Sequence, residues 1–228
     1  MNTSYLAGLF DGDGSIFIAK ITNGYQIKVE LSQCSLTFIQ MVNNSLNNKG
    51  SIYEDKRHDK YTTETNWKLR FFGEVASEIL DIMNKHAIIK QPQAALAIQY
   101  LLLQNKQNKN AEREKFYIAM KALNADKTYT KPFDRVNNEY ISGLFDAEGN
   151  VYINHKNKKK YYVKITQKTD TQLLVEIQKF LGFGKISKSE PERLRFFSKS
   201  DVFAFHEVIE DTSNIKIYKM LDLMTLLI

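Results

Sequence analysis

Tyr5-Leu6-Ala7-Gly8-Leu9-Phe10-Asp11-Gly12-Asp13-Gly14 returns later in the chain as Tyr140-Ile141-Ser142-Gly143-Leu144-Phe145-Asp146-Ala147-Glu148-Gly149, at an offset of 135 residues. Other blocks follow in the same order. Ser32-Gln33 returns as Thr166-Gln167, and Gly50 and Ile52 return as Gly184 and Ile186, both at an offset of 134. Leu69-Arg70-Phe71-Phe72 returns as Leu194-Arg195-Phe196-Phe197 at 125, so a nine-residue shortening falls in one hairpin of the second half. Four matched blocks in one order are hard to obtain by chance, and a repeat of this length predicts two homologous domains. Their expected bounds are 1–123 and 139–228, joined by a linker at 124–138 that contains Lys131-Pro132.

Each half reads helix, hairpin, helix, hairpin, helix, an α+β class with two pseudo-symmetric αββαββα domains. Tyr25, Ile27, Val29 and Leu31 alternate with Gln26, Lys28, Glu30 and Ser32, which is the period of a half-buried strand. The second half repeats it as Tyr161, Val163 and Ile165 against Tyr162, Lys164 and Thr166. Further strands are expected near 50–55, 66–72, 184–189 and 192–197. Helical spacing covers Leu36–Leu46, Val75–Met83, Pro92–Gln104, Ala111–Leu123, Leu173–Leu181 and Val202–Ile209. The second half ends at Ile228 without a counterpart of the Ala111–Leu123 helix. An antiparallel sheet with one apolar face takes helices there and leaves its polar face open, either solvated or lying in a nucleic-acid groove.

The bulk composition fits that picture. With 228 residues the chain is long enough for two small cores. A net charge of +6 and a pI near 9.1 suit a polyanionic partner without proving one. Cys34 is the single cysteine, which excludes an intramolecular disulfide, argues against a cysteine-based zinc site and fits a reducing, intracellular compartment. There is no apolar run of transmembrane length, so no membrane partner is expected, and the first residues carry no signal-peptide pattern. His58, His86, His155 and His206 show no metal-ligand spacing, and no Gly-rich nucleotide loop or Ser/His/Asp pattern stands out. Cys34 is expected at a helix start or in the core. The richness in Asn, Lys and Ile fits an AT-rich genome, as in a mitochondrion or chloroplast.

The duplicated motif carries the chemistry. Gly8 and Gly12 lie four residues apart on one helix face, matched by Gly143 and Ala147. Small residues let two helix backbones approach closely, so each motif helix is expected to pack on the other and form the domain interface. Each helix then ends in acids, Asp11 and Asp13 or Asp146 and Glu148. Helix C-termini already carry partial negative charge and unpaired carbonyls. Two such ends repel unless a cation joins them, and oxygen-only ligation suits Mg2+. The plainer alternative is a pair of surface caps on two ordinary turns.

Leu6-Ala7-Gly8-Leu9-Phe10-Asp11-Gly12-Asp13-Gly14 resembles the LAGLIDADG motif, and residues 141–149 are a second copy. The resemblance is to the single-chain, two-motif homing endonucleases. Lys90-Gln91-Pro92-Gln93-Ala94 and Lys115-Phe116 further resemble the homodimeric chloroplast-type members, as if that dimer had been fused. It implies a monomeric, intron-encoded, Mg2+-dependent enzyme that hydrolyses both strands of double-stranded DNA and leaves 3′ overhangs. The two sheets would form a DNA-binding saddle over a site of about twenty base pairs. Asp13 and Glu148, with the carbonyls of Gly12 and Ala147, would hold two or three divalent ions, Mn2+ or Ca2+ substituting for binding. Asp11 and Asp146 would be structural. A lysine and a glutamine per half would complete the catalytic pocket: Lys90 with Gln33, and Lys216 (Lys219 its rival) with Gln167. Base readers would come from the polar strand faces: Gln26, Lys28, Glu30, Lys68 and Arg70, then Tyr152, Asn154, Tyr162, Lys164, Thr166, Arg193 and Arg195. The Lys156–Lys160 turn is better placed for phosphates. The alternative is an intron RNA maturase or a non-cleaving DNA-binding protein on the same scaffold.

Overall fold

The computed structural model describes residues 1–55, 65–103, 110–125, 131–154, 161–168, 170–187 and 192–228. The first motif forms α1 (Thr3–Asp13), which passes directly into β1 (Gly14–Ile21) and β2 (Gly24–Gln33). There follow α2 (Leu36–Ser45), β3 (Ser51–Asp55), β4 (Asn66–Phe72), a 3-10 turn at Gly73–Ala76, α3 (Ser77–His86), α4 (Gln91–Leu103) and α5 (Asn110–Ala125). The second half repeats the order with α6 (Asn138–Glu148), β5 (Gly149–Ile153), β6 (Tyr161–Gln167), α7 (Thr171–Leu181), β7 (Lys185–Ser187), β8 (Glu192–Phe196), α8 (Lys199–Ile209) and α9 (Ile217–Leu227). Two four-stranded sheets result, ordered β1-β2-β4-β3 and β5-β6-β8-β7, with every neighbouring pair antiparallel. The expected Lys156–Lys160 turn, His58, His155 and the tail of the strand at 184–189 lie outside the described residues.

By their contacts the residues group into two units, Asp13–Lys131 and Asn2–Gly12 with Pro132–Ile228. The motif helix α1, which the sequence places in a domain at 1–123, therefore groups with the second unit. The cause is its packing on α6, described below.

In the first unit, Ile16, Ile18, Ile27, Val29, Leu31, Leu69 and Phe71 form the buried sheet face. Phe38, Ile39 and Val42 of α2, Ile79, Leu80 and Met83 of α3 and Ala94, Ala97 and Tyr100 of α4 are buried with them. The period-two pattern of β2 thus sets which side of the sheet the helices cover. The Tyr100 hydroxyl donates to the Tyr25 carbonyl at 2.6 Å. Helix α5 runs to Ala125, two residues into the expected linker, and Asn124 Nδ2 donates to the Ile16 carbonyl at 3.0 Å. At the other end of that segment Asn137 caps α6 by accepting from Tyr140 N at 2.8 Å.

In the second unit, Val163, Ile165, Leu194 and Phe196 line the sheet's buried face, with Leu173, Leu174 and Ile177 of α7 and Val202, Phe205 and Ile209 of α8. Phe205 stacks on Phe196 at 4.3 Å and meets Phe145 edge-on at 5.0 Å, which ties α6 to the sheet. Helix α9 was not expected. Its polar residues Lys219, Asp222 and Thr225 fall on one side, and Met220 and Leu223 are buried on the other. It follows α8 as α4 follows α3, and among the described residues no helix after it matches α5. Among those residues no helix is long and apolar enough to cross a membrane.

Helix α1 is buried from Tyr5 through Asp11, and α6 from Tyr140 through Asp146. The contact is reciprocal. A Cβ at Gly8 would strike the Tyr140 carbonyl and come within 2.9 Å of Leu144 N; one at Gly143 would strike the Tyr5 carbonyl and come within 2.8 Å of Leu9 N. Backbone therefore lies on backbone, and no side chain larger than hydrogen fits at either position. Because the obstacle is main chain, it cannot rotate away. Gly143→Ala is expected to cost at least about 1–3 kcal/mol, the usual penalty of overpacking, read as a lowered urea midpoint with unchanged m-value.

Candidate active site and nucleic-acid interface

The acids at the end of α6 have different surroundings. Asp146 is 2% exposed. Its Oδ1 accepts from Ser213 Oγ at 2.7 Å and Lys216 N at 2.9 Å. Its Oδ2 accepts from the Tyr5 hydroxyl at 2.7 Å, Asn214 N at 2.6 Å and Ile215 N at 3.2 Å. Three consecutive backbone N–H groups make a nest for the anion. This is what permits a buried carboxylate, and it leaves no oxygen for a metal. Asp11 has the mirrored bond, accepting from the Tyr140 hydroxyl at 2.8 Å. Burial first, and then the facing carboxylate's charge, push the phenols of Tyr5 and Tyr140 well above their ordinary range.

Glu148 closes α6 and Asp13 closes α1, each one residue beyond a helix-terminal carbonyl. Gly12 packs against Ala147; a Cβ there would strike the Ala147 side chain. Lys216 immediately precedes α9 as Lys90 immediately precedes α4, which sets Lys216 rather than Lys219 at the position matching Lys90. Lys216 Nζ donates to three carbonyls at the end of α6: Phe145 at 2.9 Å, Asp146 at 2.6 Å and Ala147 at 3.0 Å. A cation is thus held where the helix dipole and unpaired carbonyls attract one. In the first unit, Gln33 at the end of β2 donates through Nε2 to Asp13 Oδ2. Gln167 ends β6 and is buried.

No cluster of three or more His, Cys, Asp or Glu side chains that could hold a metal occurs among the described residues. Each motif taken by itself ends in a carboxylate and a helix-end carbonyl, hard oxygens whose chemistry fits a divalent ion such as Mg2+.

The register fixes which residues share the open sheet faces. In the first unit Glu30 stands opposite Arg70, Ser32 opposite Lys68, and Tyr53 opposite Lys68. Glu30 accepts from Lys68 Nζ at 2.7 Å and from Arg70 Nε at 2.5 Å, and Lys68 also pairs with Asp55 at 3.2 Å. Burial raises the Glu30 carboxyl, but the hydrogen bonds from Lys68 and Arg70 outweigh it and hold the group below its usual range. Glu30 and Lys68 are both buried, so two of the expected base readers are engaged with each other; Gln26 and Lys28 are half-buried on the same face. In the second unit Lys164 stands opposite Arg195, Thr166 opposite Arg193, and Tyr152 opposite Tyr162, whose rings stack at 4.9 Å. Asn154 lies just beyond β5, at the edge of the described segment.

Ser213 and Asn214, which cradle Asp146, and Asp55, which holds Lys68, were not foreseen, because their partners are distant in sequence. The hydroxyls of Tyr5 and Tyr140 had a signal: tyrosine opens both copies of the motif. Cys34 is exposed and sits one residue before Ser35, the cap of α2; it is not in the core.

Two outcomes follow from the Asp146 cradle. Asp146→Ala strands three backbone donors and a buried phenol, and is expected to lower stability by at least about 3 kcal/mol in urea unfolding. The two phenols stay neutral in the fold beyond the ordinary value of 10.0 at which the unfolded chain ionises. A raised folded pKa contributes stability that is complete below the unfolded value and lost as pH rises above it. Urea midpoints should therefore be level up to about pH 10 and fall above it, more steeply in the parent than in the Tyr5→Phe/Tyr140→Phe double variant.

Comparison with known proteins places this arrangement. The profile of the LAGLIDADG-like domain matches residues 1–91, and that of the LAGLIDADG endonuclease matches residues 141–219. Among curated proteins none matches the sequence. Solved structures share the fold at low identity. A lysine-to-alanine variant of I-SmaMI superposes with a TM-score of 0.77 at 16% identity, covering 99% of this chain and 90% of that one. I-AabMI bound to uncleaved DNA gives 0.75 at 14%, covering 99% and 90%. I-GzeII in complex with its DNA target gives 0.73 at 16%, covering 99% and 88%. With one family profile on each half and the same αββαββ order in both, the chain belongs to the LAGLIDADG endonuclease family, as a member carrying two motifs on one polypeptide.

Proposed function

We propose that the chain is a site-specific homing endonuclease that hydrolyses both strands of double-stranded DNA at a target of about twenty base pairs, with a divalent metal, leaving 3′ overhangs. One observation carries the reading: Asp146 is locked into the fold by five donors, and each copy of the motif closes its helix with one further acid, Asp13 or Glu148, next to a helix-end carbonyl.

Asp13 and Glu148 would hold the ions, with the carbonyls of Gly12 and Ala147. A bound divalent ion supplies charge stabilisation at the scissile phosphate and a more acidic attacking water. The chain's own residues do the rest. Lys90 and Lys216 offset the charge that builds on the phosphate. Gln33 and Gln167 orient the carboxylates and solvent around them, a role that the Gln33 bond to Asp13 supports. The open sheet faces bind the duplex. DNA-bound relatives, among them I-SmaMI on an uncleaved target in the presence of calcium ions, support the substrate class and the use of divalent ions.

The test is to select bound duplexes from a randomised library, incubate the enriched one with Mg2+, and compare the parent with Asp13→Asn and Glu148→Gln. Cleavage of both strands by the parent, lost in both variants with binding retained, is the expected result. Loss of one general electrostatic contributor typically costs about 100- to 1,000-fold in rate, and loss of a metal ligand should cost at least that. Tight, specific binding without cutting by the parent would make the chain a DNA-binding regulator. Absence of specific DNA binding would turn attention to intron RNA.

A further inference from the structure

The repeat makes the two open sheet faces comparable position by position. Glu30, Lys68 and Arg70 on the first match Lys164, Arg193 and Arg195 on the second, each in the same cross-strand pairing. One position has reversed its charge: the carboxylate of Glu30 is replaced by the ammonium of Lys164. The first face carries Lys28, Lys68 and Arg70 against Glu30 and Asp55, and its two central cations are held by those carboxylates. The second face carries Lys164, Lys185, Arg193 and Arg195 and, among the described residues, no carboxylate.

That second arrangement is unfavourable to the fold by itself. Lys164 lies directly opposite Arg195, and like charges facing one another across a strand pair are destabilising. The Nε donors of Arg193 and Arg195 are buried, and among the described residues neither has a hydrogen-bond partner. Burial, and then the nearby Arg193 and Arg195, also lower the Lys164 ammonium's pKa. Unpaired buried donors are rare in folded proteins and call for an explanation, of which a bound ligand is one. The ligand must be anionic or rich in acceptors.

Geometry narrows it further. Lys164, Arg193 and Arg195 lie on β6 and β8, the two central strands of the sheet, where a groove-bound face meets base edges and not the phosphates at the rims. Arg193 and Arg195 are two residues apart on one face. At about 3.3 Å per residue they stand roughly 7 Å apart, the span of about two base-pair steps of 3.4 Å. Arginine's two-pronged fork matches the O6 and N7 acceptors of guanine.

We propose that the two halves of the DNA site are read unequally: the second sheet takes a guanine-containing half through Arg193 and Arg195, with guanines about two steps apart, while Glu30 keeps Lys68 and Arg70 of the first sheet from acting as guanine readers. This rests on the endonuclease reading but adds a pattern which that reading does not require.

The test uses the full chain and a randomised double-stranded DNA library, without Mg2+ so that bound duplexes survive. The parent should enrich a site with the guanine pair in one half only. Arg193→Gln and Arg195→Gln should each weaken binding about 5- to 150-fold and each abolish one guanine preference. Arg193→Lys and Arg195→Lys keep the charge and should lose the preference while retaining the salt dependence. Glu30→Gln releases Lys68 and Arg70, and should raise affinity for arbitrary duplex and add guanine preference in the other half. Thermal unfolding of each variant confirms that it is folded. If the parent enriches a clear site but the arginine variants keep its guanines, or Glu30→Gln leaves both affinity and preference unchanged, the inference is overturned and the endonuclease reading stands. If the parent enriches no duplex, both fall.

Discussion

The close approach of α1 to α6 is the constraint from which the rest follows. Two helices whose backbones touch at Gly8 and Gly143 can be held only at one register, because any slip would put a side chain where the facing carbonyl lies. That register sets the reciprocal bonds from Tyr5 to Asp146 and from Tyr140 to Asp11. These are charge-assisted bonds in a buried setting, where an unpaired carboxylate would cost several kcal/mol. The contact also explains why α1 groups with the second half while the chain runs straight on from it into β1 of the first.

The same helices place acids at the end of the helix where the dipole opposes them. Such an arrangement persists when each negative charge has a specific partner. For Asp146 the partner is a ring of donors from the segment between α8 and α9; for the terminal carbonyls it is the ammonium of Lys216. One short loop, Ser213–Lys216, therefore serves two purposes: it locks the structural acid and delivers a lysine to the helix end. A chain built to expose only a surface turn would not bury so many polar groups around it.

Duplication lets the halves share a fold while their faces diverge. The inward positions of β2 and β6 remain aliphatic, since a charge there would be buried against the helices. The outward positions carry no such restriction, and there a carboxylate in one half corresponds to an ammonium in the other. The core holds the two units to one architecture, and the open faces carry what distinguishes them.

Much of this was legible in the sequence. The repeat, the period-two strands and the paired small residues determine the domain count, the sheet faces and the helix contact, because each is a local pattern with one steric meaning. The expected structural role of Asp146 rested on family resemblance, and the fold shows the five donors that hold it; the metal role of Asp13 and Glu148 is a proposal. Helix α9 was not read, because only three polar residues, Lys219, Asp222 and Thr225, mark its period in an otherwise apolar stretch. Nor could the cradle of Ser213 and Asn214, the three carbonyls held by Lys216, or the pairing of Glu30 with Lys68 be found. Hydrogen bonds and ion pairs between residues 38 to 71 positions apart leave no trace in local spacing. The sequence by itself determined which residues face inward and which small residues must meet. Only the tertiary structure decided which charges are already satisfied and which still lack a partner, because that depends on what the fold brings within about 3 Å of them.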